Sequence, residues 1–514
     1  MSLFPYALRL DVYSHGLKVS RFHPELRRHL VEFCRGFGQY GLVPVGRGMY
    51  DNRIIKVFAA ATKLRDVYYF HRNSLDELLA HLRQCGIGSE RIERFDHPMY
   101  VPDTVNFEAV NEERTPRDDQ IKAMDFFLEE KPRSKVLTLQ TGKGKTASCF
   151  FTLPKLNTRT VLILKSMYMD QWVNEAKEIF DLKKGELYVI NGAKPLKALI
   201  SLAKHDPDFN PKLIVISNTT YRMFMRSYLD HAPGDTGYEC APSEFFETVK
   251  AGLRIIDEVH QDFHLNFLID CMTHVPKSIS LSATLVSDDQ FINRMYQITF
   301  PTDTHAPKPP HDKYIEVVQI PYRFADETPI KFTNMMRQYS QVIYEKSIMR
   351  QPRIWRNYIN MIVDIAEHQH FKFAVPGQKI AVFCGTVAMC ESVQAALEKK
   401  HPEKKVRRFV AEDPDSHLVE ADAIVTTLQS CGTAKDIKGL RTCLSTIALS
   451  AKQANEQLIG RLRRLKDWPD VTPKFVFITN KTNPKHIRYA ADKSTKLDGK
   501  VLRFSNLTSD YNAI

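Results

Sequence analysis

A glycine-rich loop that ends in a lysine and a threonine is the first stretch of the sequence that could do chemistry. The apolar run 136–139 opens into Gln140, Thr141, Gly142, Lys143, Gly144, Lys145 and Thr146. In a phosphate-binding loop, backbone N–H groups surround the phosphates, the lysine reaches the β- and γ-phosphates, and the hydroxyl ligates Mg²⁺. Lys145 and Thr146 would have the last two roles. An ordinary glycine-rich turn is the alternative, because Leu139 occupies the place of the usual first glycine.

An acidic pair, Asp257 and Glu258, follows the apolar residues Ile255 and Ile256. Mg²⁺ on a triphosphate prefers a hard oxygen ligand, which Asp257 can supply. Glu258 would then orient and deprotonate an attacking water. A helix N-cap is the alternative for an acidic pair standing alone. Together with the glycine-rich loop, the pair predicts a site for ATP and Mg²⁺.

Two long blocks of the chain have the pattern needed to position such a site. Residues 109–305 and 378–490 alternate β-like runs with helical segments, which is typical of parallel sheets with crossover helices. Ligands of such sheets bind at the carboxyl ends of the strands. The predicted strands are 135–139, 160–164, 213–216, 253–256, 278–281, 379–384, 423–426, 444–449 and 474–478.

The first 108 residues predict a small α+β domain. A hairpin is expected around residues 14–16, a helix over 24–37, strands near 54–60 and 67–70, and a second helix with Ser74 as N-cap and Glu77 at the capping-box position. Basic residues interleaved with Tyr and Phe favour either a face that grips nucleic-acid phosphates or a solvated basic surface. The pattern leaves both readings open.

Composition limits the class of protein. The 514 residues are 43% hydrophobic and 26% charged, with a net charge of +12, and the length predicts about three or four domains. A basic protein of this kind commonly has a polyanionic partner. The nine cysteines include no C-x-x-C pair, so a zinc or disulfide framework is poorly supported. No apolar stretch is long enough to span a membrane and no signal-peptide pattern opens the chain, so we expect a cytoplasmic protein.

The candidate residues fall within an ordered set of motifs that resembles the set of the superfamily 2 helicases, across about residues 115–465. Gln120 resembles the glutamine that contacts the adenine base, the loop at Lys145 resembles motif I, and residues 257–260 resemble a DEAH-related motif II of DEVH type. Ser282-Ala283-Thr284 is similar to motif III, which couples the two lobes, and His260, Ser282 and Thr284 would serve that coupling. The resemblance assigns ATP binding to Gln120, Thr141, Gly142, Lys143, Gly144, Lys145, Thr146, Gln457 and Asp436, and Mg²⁺ to Thr146 and Asp257.

An arginine-rich run, residues 457–464, resembles motif VI of that family. In the family, arginines of this motif reach the γ-phosphate of ATP bound by the other lobe, a task that suits a permanently charged, forked side chain. Arg461 and Arg464 are the candidates, and their spacing predicts that they share one helix face. Catalysis is therefore assigned to Glu258, Asp257, Lys145, Arg461 and Arg464.

Motifs that contact nucleic acid in the family have weaker counterparts in this chain. Contacts of this kind hold phosphates and carry no sequence information. Lys165 stands where a proline is frequent, and the spacing of residues 432–436 departs from the commonest form, which leaves the ribose role of Asp436 open. The resemblance assigns nucleic-acid contacts to Lys165, Ser166, Gln171, Ser217, Asn218, Thr386, Thr426 and Thr427.

The resemblance implies two tandem RecA-like parallel-sheet domains preceded by the small α+β domain. The expected boundaries are 1–108 for the small basic domain, 109–305 for the ATP-binding lobe, 306–325 for a linker, 326–490 for a helical segment with the second lobe, and 491–514 for a loosely ordered tail. The arrangement is similar to that of the UvsW-type phage helicases and related repair translocases.

The resemblance implies an ATP- and Mg²⁺-dependent helicase or translocase that acts on single-stranded, duplex or branched DNA in replication, recombination or repair. A phage-encoded protein of this kind would act in the host cytoplasm. The sequence is compatible with a monomer, and it does not identify a protein partner. An RNA helicase is the first alternative, and a non-catalytic protein that binds branched DNA is an alternative of another class. A small-molecule kinase fits least, because it needs neither the arginine motif nor the second lobe.

Overall fold

The computed structural model describes residues 6–46, 49–64, 66–110, 115–139, 143–232, 234–307, 312–325, 329–335, 337–411, 413–430, 437–450, 455, 458–497, 499–507 and 511. The chain divides into two compact units. The first contains the described residues up to 307, and the second contains those from 312 onward. Within the described residues, no helix is both long and apolar enough to span a membrane.

The first unit opens with a small mixed sheet and a separate hairpin. Its strands are β1 Leu8–Val12, β2 Gly16–Ser20, β3 Gly38–Gly46, β4 Met49–Val57, β5 Ala60–Ala61, β6 Tyr68–His71 and β7 Ile92–Asp96. Its helices are α1 Arg27–Gly36 and α2 Leu75–Gln84. The sheet has the order β5-β6-β2-β1-β7, in which β1 and β7 are parallel and the other neighbours antiparallel. Within the part of the chain that the structure describes, strands β3 and β4 pair only with each other and form an exposed two-stranded ribbon.

A six-stranded parallel sheet completes the first unit. Its strands are β8 Ser134–Thr138, β9 Thr160–Leu164, β10 Leu187–Ile190, β11 Leu213–Ser217, β12 Leu253–Ile256 and β13 Lys277–Ser282, in the order β10-β11-β9-β12-β13-β8. The helices are α3 Asp118–Leu128, α4 Lys145–Leu156, α5 Ser166–Ile179, α6 Ala193–His205, α7 Asn218–Asp230, α8 Phe245–Thr248, α9 Phe263–Cys271 and α10 Gln290–Thr299. Strands β9, β11 and β12 are buried along their whole length, as expected of strands covered by helices on both faces.

The second unit is built around a seven-stranded parallel sheet. Its strands are β14 Glu316–Tyr322, β15 Lys379–Cys384, β16 Val406–Phe409, β17 Ala423–Thr427, β18 Leu440–Ser445, β19 Lys474–Asn480 and β20 Arg503–Asn506, in the order β16-β17-β15-β18-β19-β14-β20. Its helices are α11 Gln341–Met349, α12 Pro352–Ala366, α13 Val387–Lys400, α14 Ser416–Glu420 and α15 Pro484–Leu497. The predicted fold class, a small α+β part followed by two parallel-sheet α/β parts, is confirmed.

Several local predictions differ from the structure. The expected linker 306–325 contains β14, an interior strand of the second sheet, and the expected tail 491–514 contains the end of α15 and β20, which pairs with β14. The partly exposed edge strand β10 was not predicted. Ser74 precedes α2 but makes no capping hydrogen bond, and the carboxylate of Glu77 binds Arg294 at 2.6 Å, so the predicted capping box is wrong. Strand β18 begins at Leu440, directly after a turn in which Gly439 has φ of +78°. The predicted strand, 444–449, therefore starts too late.

One hydrophobic core joins the N-terminal sheet to the six-stranded sheet. It includes Leu10 and Phe70 from the former together with Phe267 and Met295 from helices of the latter. The two parts also share buried polar contacts, since His15 Nε2 lies 2.7 Å from Ser278 Oγ. The N-terminal sheet is therefore an integral layer of the first unit.

Candidate active site

The end of the glycine-rich loop is fixed by the start of α4. Gly144 precedes the helix with φ of +76°, a left-handed conformation that L side chains rarely adopt, and Lys145 is the first helical residue. A Cβ at Gly144 would lie 2.3 Å from Gln120 Nε2. This position therefore requires glycine for its backbone angle and for its space. Thr141 and Gly142 lie outside the described residues.

The start of α3 packs directly on this loop. Gln120 is buried, its Nε2 donates to the carbonyl oxygen of Gly144 at 3.3 Å, and its Oε1 accepts from the backbone N–H of Arg117 at 2.9 Å. The guanidinium of Arg117 donates to the carbonyl oxygen of Lys143 at 2.5 Å. Gln120 thus lies against the proposed phosphate loop, where its amide stabilises the backbone at Gly144 while Arg117 stabilises it at Lys143.

The loop lysine meets the acidic pair that follows β12. Lys145 Nζ lies 3.1 Å from Glu258 Oε1, and the lysine is buried. Glu258 has φ of +46°, a conformation that costs a residue with a side chain on the order of 1–3 kcal/mol. Its backbone N–H donates to Asp257 Oδ1 at 2.8 Å. Strained backbone of this kind is concentrated at functional sites, where neighbouring structure holds it in place.

Asp257 is held by a tryptophan that sequence analysis did not assign to the site. Trp172, fully buried on α5, donates its indole Nε1–H to Asp257 Oδ2 at 3.0 Å. Burial, followed by the charge of Glu258, raises the pKa of Asp257 to about 6, against the lowering effects of Lys145 and of the Trp172 hydrogen bond. The signal available in the sequence was a tryptophan beside Gln171, a residue that the resemblance assigns to nucleic-acid contacts. Its partner lies 85 positions away and is identified only by the fold.

The donor set at this edge of the sheet fits Mg²⁺ carried by a triphosphate. Each carboxylate oxygen of Asp257 accepts one hydrogen bond from the protein and has a further lone pair, and Thr146 lies on the first turn of α4. No cluster of three or more His, Cys, Asp or Glu occurs among the described residues. One carboxylate and one hydroxyl suit Mg²⁺, which is commonly held by one or two protein carboxylates plus substrate phosphates and water. The bound ion would neutralise phosphate charge.

A hydrogen-bonded chain runs from His260, which lies beside Glu258, to the end of β13. His260 is buried, and its Nδ1 lies 3.3 Å from Glu258 Oε2 and 2.8 Å from Ser282 Oγ. The Ser282 hydroxyl donates to the carbonyl oxygen of Thr284 at 2.7 Å. The backbone N–H of Leu139, just before the glycine-rich loop, donates to the carbonyl oxygen of Ser282 at 3.2 Å. The three residues assigned to coupling, His260, Ser282 and Thr284, therefore form one connected path beside the site.

In the first unit, two residues assigned to nucleic-acid contacts, Lys165 and Asn218, both bind Asp262. Asp262 was not assigned to the site from the sequence. Lys165 Nζ lies 3.1 Å from Asp262 Oδ2, and Asn218 Nδ2 donates to the same oxygen at 3.3 Å. Ser166 and Gln171 are exposed on α5. Ser217, by contrast, is fully buried, and its hydroxyl caps α7 by accepting from the backbone N–H of Thr220. The buried Ser217 can therefore fix the backbone at the start of α7, but its side chain is not exposed for a contact with nucleic acid.

The residues of the second unit that are assigned to nucleic-acid contacts differ in how far they are buried. Thr426 is fully buried and donates its hydroxyl to the carbonyl oxygen of Phe409 at 2.6 Å. Thr427 is partly exposed, and its hydroxyl lies 2.8 Å from Ser430 Oγ. Thr386 caps α13, and its hydroxyl donates to Glu345 Oε2 at 2.8 Å. Asp436 and Gln457 lie outside the described residues.

The two arginines of the motif VI-like run have different environments. Arg461 is buried in a turn, whereas Arg464 follows in irregular backbone with 65% of its side chain exposed. The expectation that they share a helix face is therefore wrong, because the helix does not extend beyond Ile459. Arg464 forms a two-pronged ion pair with Asp312, with Nη2 to Oδ1 at 2.6 Å and Nε to Oδ2 at 3.2 Å.

Comparison with known proteins identifies the fold. No protein-family model and no curated protein sequence matches the chain. A solved structure of a Dbp5 variant from S. cerevisiae bound to RNA and ADP BeF3 is similar to it with a TM-score of 0.50 and 12% identity, over 78% of this chain and 92% of that one. This likeness concerns the fold, in which two parallel-sheet α/β parts follow one another along the chain.

Two further structures are similar at lower scores. T4 UvsW matches over 97% of this chain and 99% of its own, with 12% identity and a TM-score of 0.32. The Mycobacterium smegmatis helicase Lhr, bound to ssDNA and AMP-PNP, matches over 75% of this chain and 48% of its own, with 15% identity and a TM-score of 0.47.

Proposed function

We propose that the protein is an ATP-dependent DNA helicase or translocase that remodels duplex or branched DNA in replication, recombination or repair. The observation that carries this proposal is the cluster of Lys145, Asp257 and Glu258 beside Gly144, at the carboxyl ends of β8 and β12, which flank β13 in one parallel sheet. Ligands of open parallel sheets bind at this edge. The cluster contains a cation for phosphates, a carboxylate suited to Mg²⁺ and a second carboxylate suited to proton transfer.

The chemistry we propose follows from the ion pair between Lys145 and Glu258. Triphosphate oxygens are stronger acceptors for the ammonium than a single carboxylate, so a bound nucleotide would draw Lys145 away from Glu258. Glu258, still held by the backbone at positive φ and by His260, would then accept a proton from the attacking water. We assign the developing negative charge to Arg461 and Arg464, following the motif that they resemble.

A substitution that keeps the shape of Glu258 tests this assignment. Glu258→Gln removes the proton acceptor, and loss of a general base typically lowers turnover by about 10²–10⁴-fold. ATP hydrolysis is measured with and without DNA, and nucleotide binding is measured separately. Glu130→Gln, an exposed position just after α3, is the matched control. DNA-stimulated turnover that persists in Glu258→Gln would refute the role of this residue.

The choice of polymer needs its own experiment, because the similar structures are of proteins bound to RNA in one case and to ssDNA in another. Phosphate contacts serve both polymers, and only contacts to the 2′-OH distinguish them. We expect matched single strands, duplexes, forks and four-way junctions to stimulate ATP hydrolysis more strongly as DNA than as RNA. The panel is run at fixed salt, since a basic protein binds any polyanion at low ionic strength. Stronger stimulation by RNA would make the protein an RNA helicase.

The N-terminal sheet contributes an exposed basic surface to this proposal. Arg27, Arg28 and Arg35 lie exposed on α1. We propose that they bind nucleic-acid phosphates without reading sequence. DNA binding without ATP hydrolysis in the wild-type protein would instead favour the non-catalytic alternative.

A further inference from the structure

Helix α11 carries two side chains that the proposed function does not use. Gln341 begins the helix and Glu345 lies one turn later, with Gln341 Nε2 donating to Glu345 Oε1 at 3.0 Å. Glu345 has no solvent exposure. A fully buried carboxylate is costly unless its oxygens accept several hydrogen bonds. Its partners therefore indicate why it is there.

Glu345 binds the loop that follows β15. The backbone N–H of Gly385 donates to Oε1 at 2.7 Å, and the hydroxyl of Thr386 donates to Oε2 at 2.8 Å. The same hydroxyl accepts from the backbone N–H of Met389 at 3.2 Å and caps α13. Its hydrogen is thus used by Glu345. In this arrangement Thr386 shapes the loop and is not free to donate to a phosphate.

Glycine at position 385 is what lets α11 approach so closely. A Cβ there would lie 2.4 Å from Gln341 Cγ and 2.9 Å from Glu345 Oε1. Any larger residue would push the loop away from the helix. The close contact is thus encoded on both sides, by the glycine and by the polar pair.

Gln341 extends the contact to a second loop. Its Nε2 donates to the carbonyl oxygen of Thr446 at 3.2 Å, and its Oε1 accepts from the backbone N–H of Ala448 at 3.1 Å. This loop follows β18, the sheet neighbour of β15, and leads toward the segment that contains Arg461. Opposite ends of one amide group are used, which fixes its orientation.

We propose that Gln341 and Glu345 are positioning residues that lock the 385–386 loop and the 446–448 loop into one arrangement and thereby couple nucleic-acid binding to ATP hydrolysis. The inference rests on the proposed function together with the family resemblance, which assigns Thr386 of the first loop to nucleic-acid contacts and the run 457–464, beyond the second loop, to the arginine motif. Because every polar atom of the pair is used, removing one disturbs both loops together. The coupling, and not nucleotide hydrolysis itself, depends on this lock.

The test compares Glu345→Gln and Gln341→Ala with Glu398→Gln and Gln394→Ala. The control residues form an exposed glutamine–glutamate pair on α13, at 2.9 Å, outside the lock. Loss of one hydrogen bond to a buried carboxylate corresponds to roughly a tenfold effect or more. We expect the DNA concentration for half-maximal ATPase stimulation to rise about tenfold in the two lock variants. ATP hydrolysis without DNA should stay within about twofold of wild type, and the controls should match wild type.

Hydrogen exchange at the amide of Gly385 gives a readout that does not depend on activity. Exchange at this amide should accelerate in Glu345→Gln, and that result would show that the lock is broken. The melting temperature of the variant is measured as well, to show that the protein is folded. Accelerated exchange with an unchanged half-maximal DNA concentration would overturn the inference. A parallel fall of basal and stimulated hydrolysis would also overturn it, since it indicates a merely structural role.

Failure of the proposed function gives a different result. If the wild-type protein hydrolyses no ATP, the proposed function fails, and direct DNA binding by fluorescence anisotropy then decides the inference. Binding about tenfold weaker in Glu345→Gln than in wild type supports the positioning role. Equal binding overturns it.

Discussion

Replacing Trp172 with phenylalanine probes how the fold holds Asp257. The change keeps an aromatic ring next to Phe150, whose ring centre lies 5.2 Å from that of Trp172, but removes the N–H that donates to Asp257 Oδ2. Asp257 then lacks the donor that fixes one of its oxygens. We expect weaker binding of Mg²⁺ with nucleotide and a lower rate of hydrolysis.

Two contributions set the size of the effect. A hydrogen bond to a charged group contributes about 1.5–3 kcal/mol, and each 1.4 kcal/mol is a factor of ten. The expected loss is therefore about 10- to 100-fold, which agrees with the typical cost of removing an outer-shell partner of a metal ligand. The missing pyrrole ring also leaves a small cavity that lowers the free energy of unfolding by on the order of 1 kcal/mol.

The assay separates these contributions. ATP hydrolysis and ADP binding are measured against Mg²⁺ concentration, and ADP binding is repeated without Mg²⁺, where the variant should match wild type. Trp355→Phe is the control, because the indole Nε1 of Trp355 has no hydrogen-bond partner among the described residues. Trp172→Phe should lose more thermal stability than Trp355→Phe, because Trp172 is fully buried whereas Trp355 is partly exposed. An unchanged Mg²⁺ dependence in Trp172→Phe would refute the role that we give to this hydrogen bond.

Two further predictions concern charges in the second unit. Lys493 is buried against the rings of Phe475 and Phe477, and burial lowers its pKa to about 7. The unfolded chain therefore binds this proton up to about pH 10 while the folded chain releases it above pH 7, so stability should rise with pH across that window. Lys493→Met should melt higher than wild type at pH 7, and this advantage should shrink by about 2–4 °C per pH unit toward pH 9; a pH-independent difference would contradict the assignment. Asp312→Asn should release Arg464, and since an exposed ion pair contributes at most about 1 kcal/mol, ATP hydrolysis without DNA should rise by no more than about fivefold. A fall in that rate would mean that Asp312 positions the arginine.

The parts of the fold that depend on local pattern could be predicted from the sequence. The runs 161–164 and 213–216 are continuously apolar, and both lie in strands of the first parallel sheet. The expected places of Lys145 and Glu258 followed from the rule that strand ends meet at one edge of such a sheet. The structure places their charged atoms 3.1 Å apart.

Features that depend on distant partners could not be read in this way. Nothing near Trp172 indicates that its indole binds Asp257, and nothing near Thr386 indicates that Glu345 takes its hydroxyl hydrogen. The prolines at positions 307, 309 and 310 favour the linker expected over 306–325. The segment nevertheless contains the interior strand β14, because its pairing partners β19 and β20 lie far along the chain. In each case, tertiary contacts decide what the local pattern leaves open.

The shared core of the first unit limits how this protein can be divided. A fragment that begins near residue 109 would lose Leu10 and Phe70 from a core that also contains Phe267 and Met295. The apolar surface uncovered in this way would favour aggregation of the fragment. The N-terminal sheet should accordingly melt in a single cooperative transition with the six-stranded sheet. It is thus ill suited to exchange between proteins as an independent module, and substitutions in its interior should reduce ATP hydrolysis even where no nucleic acid is present.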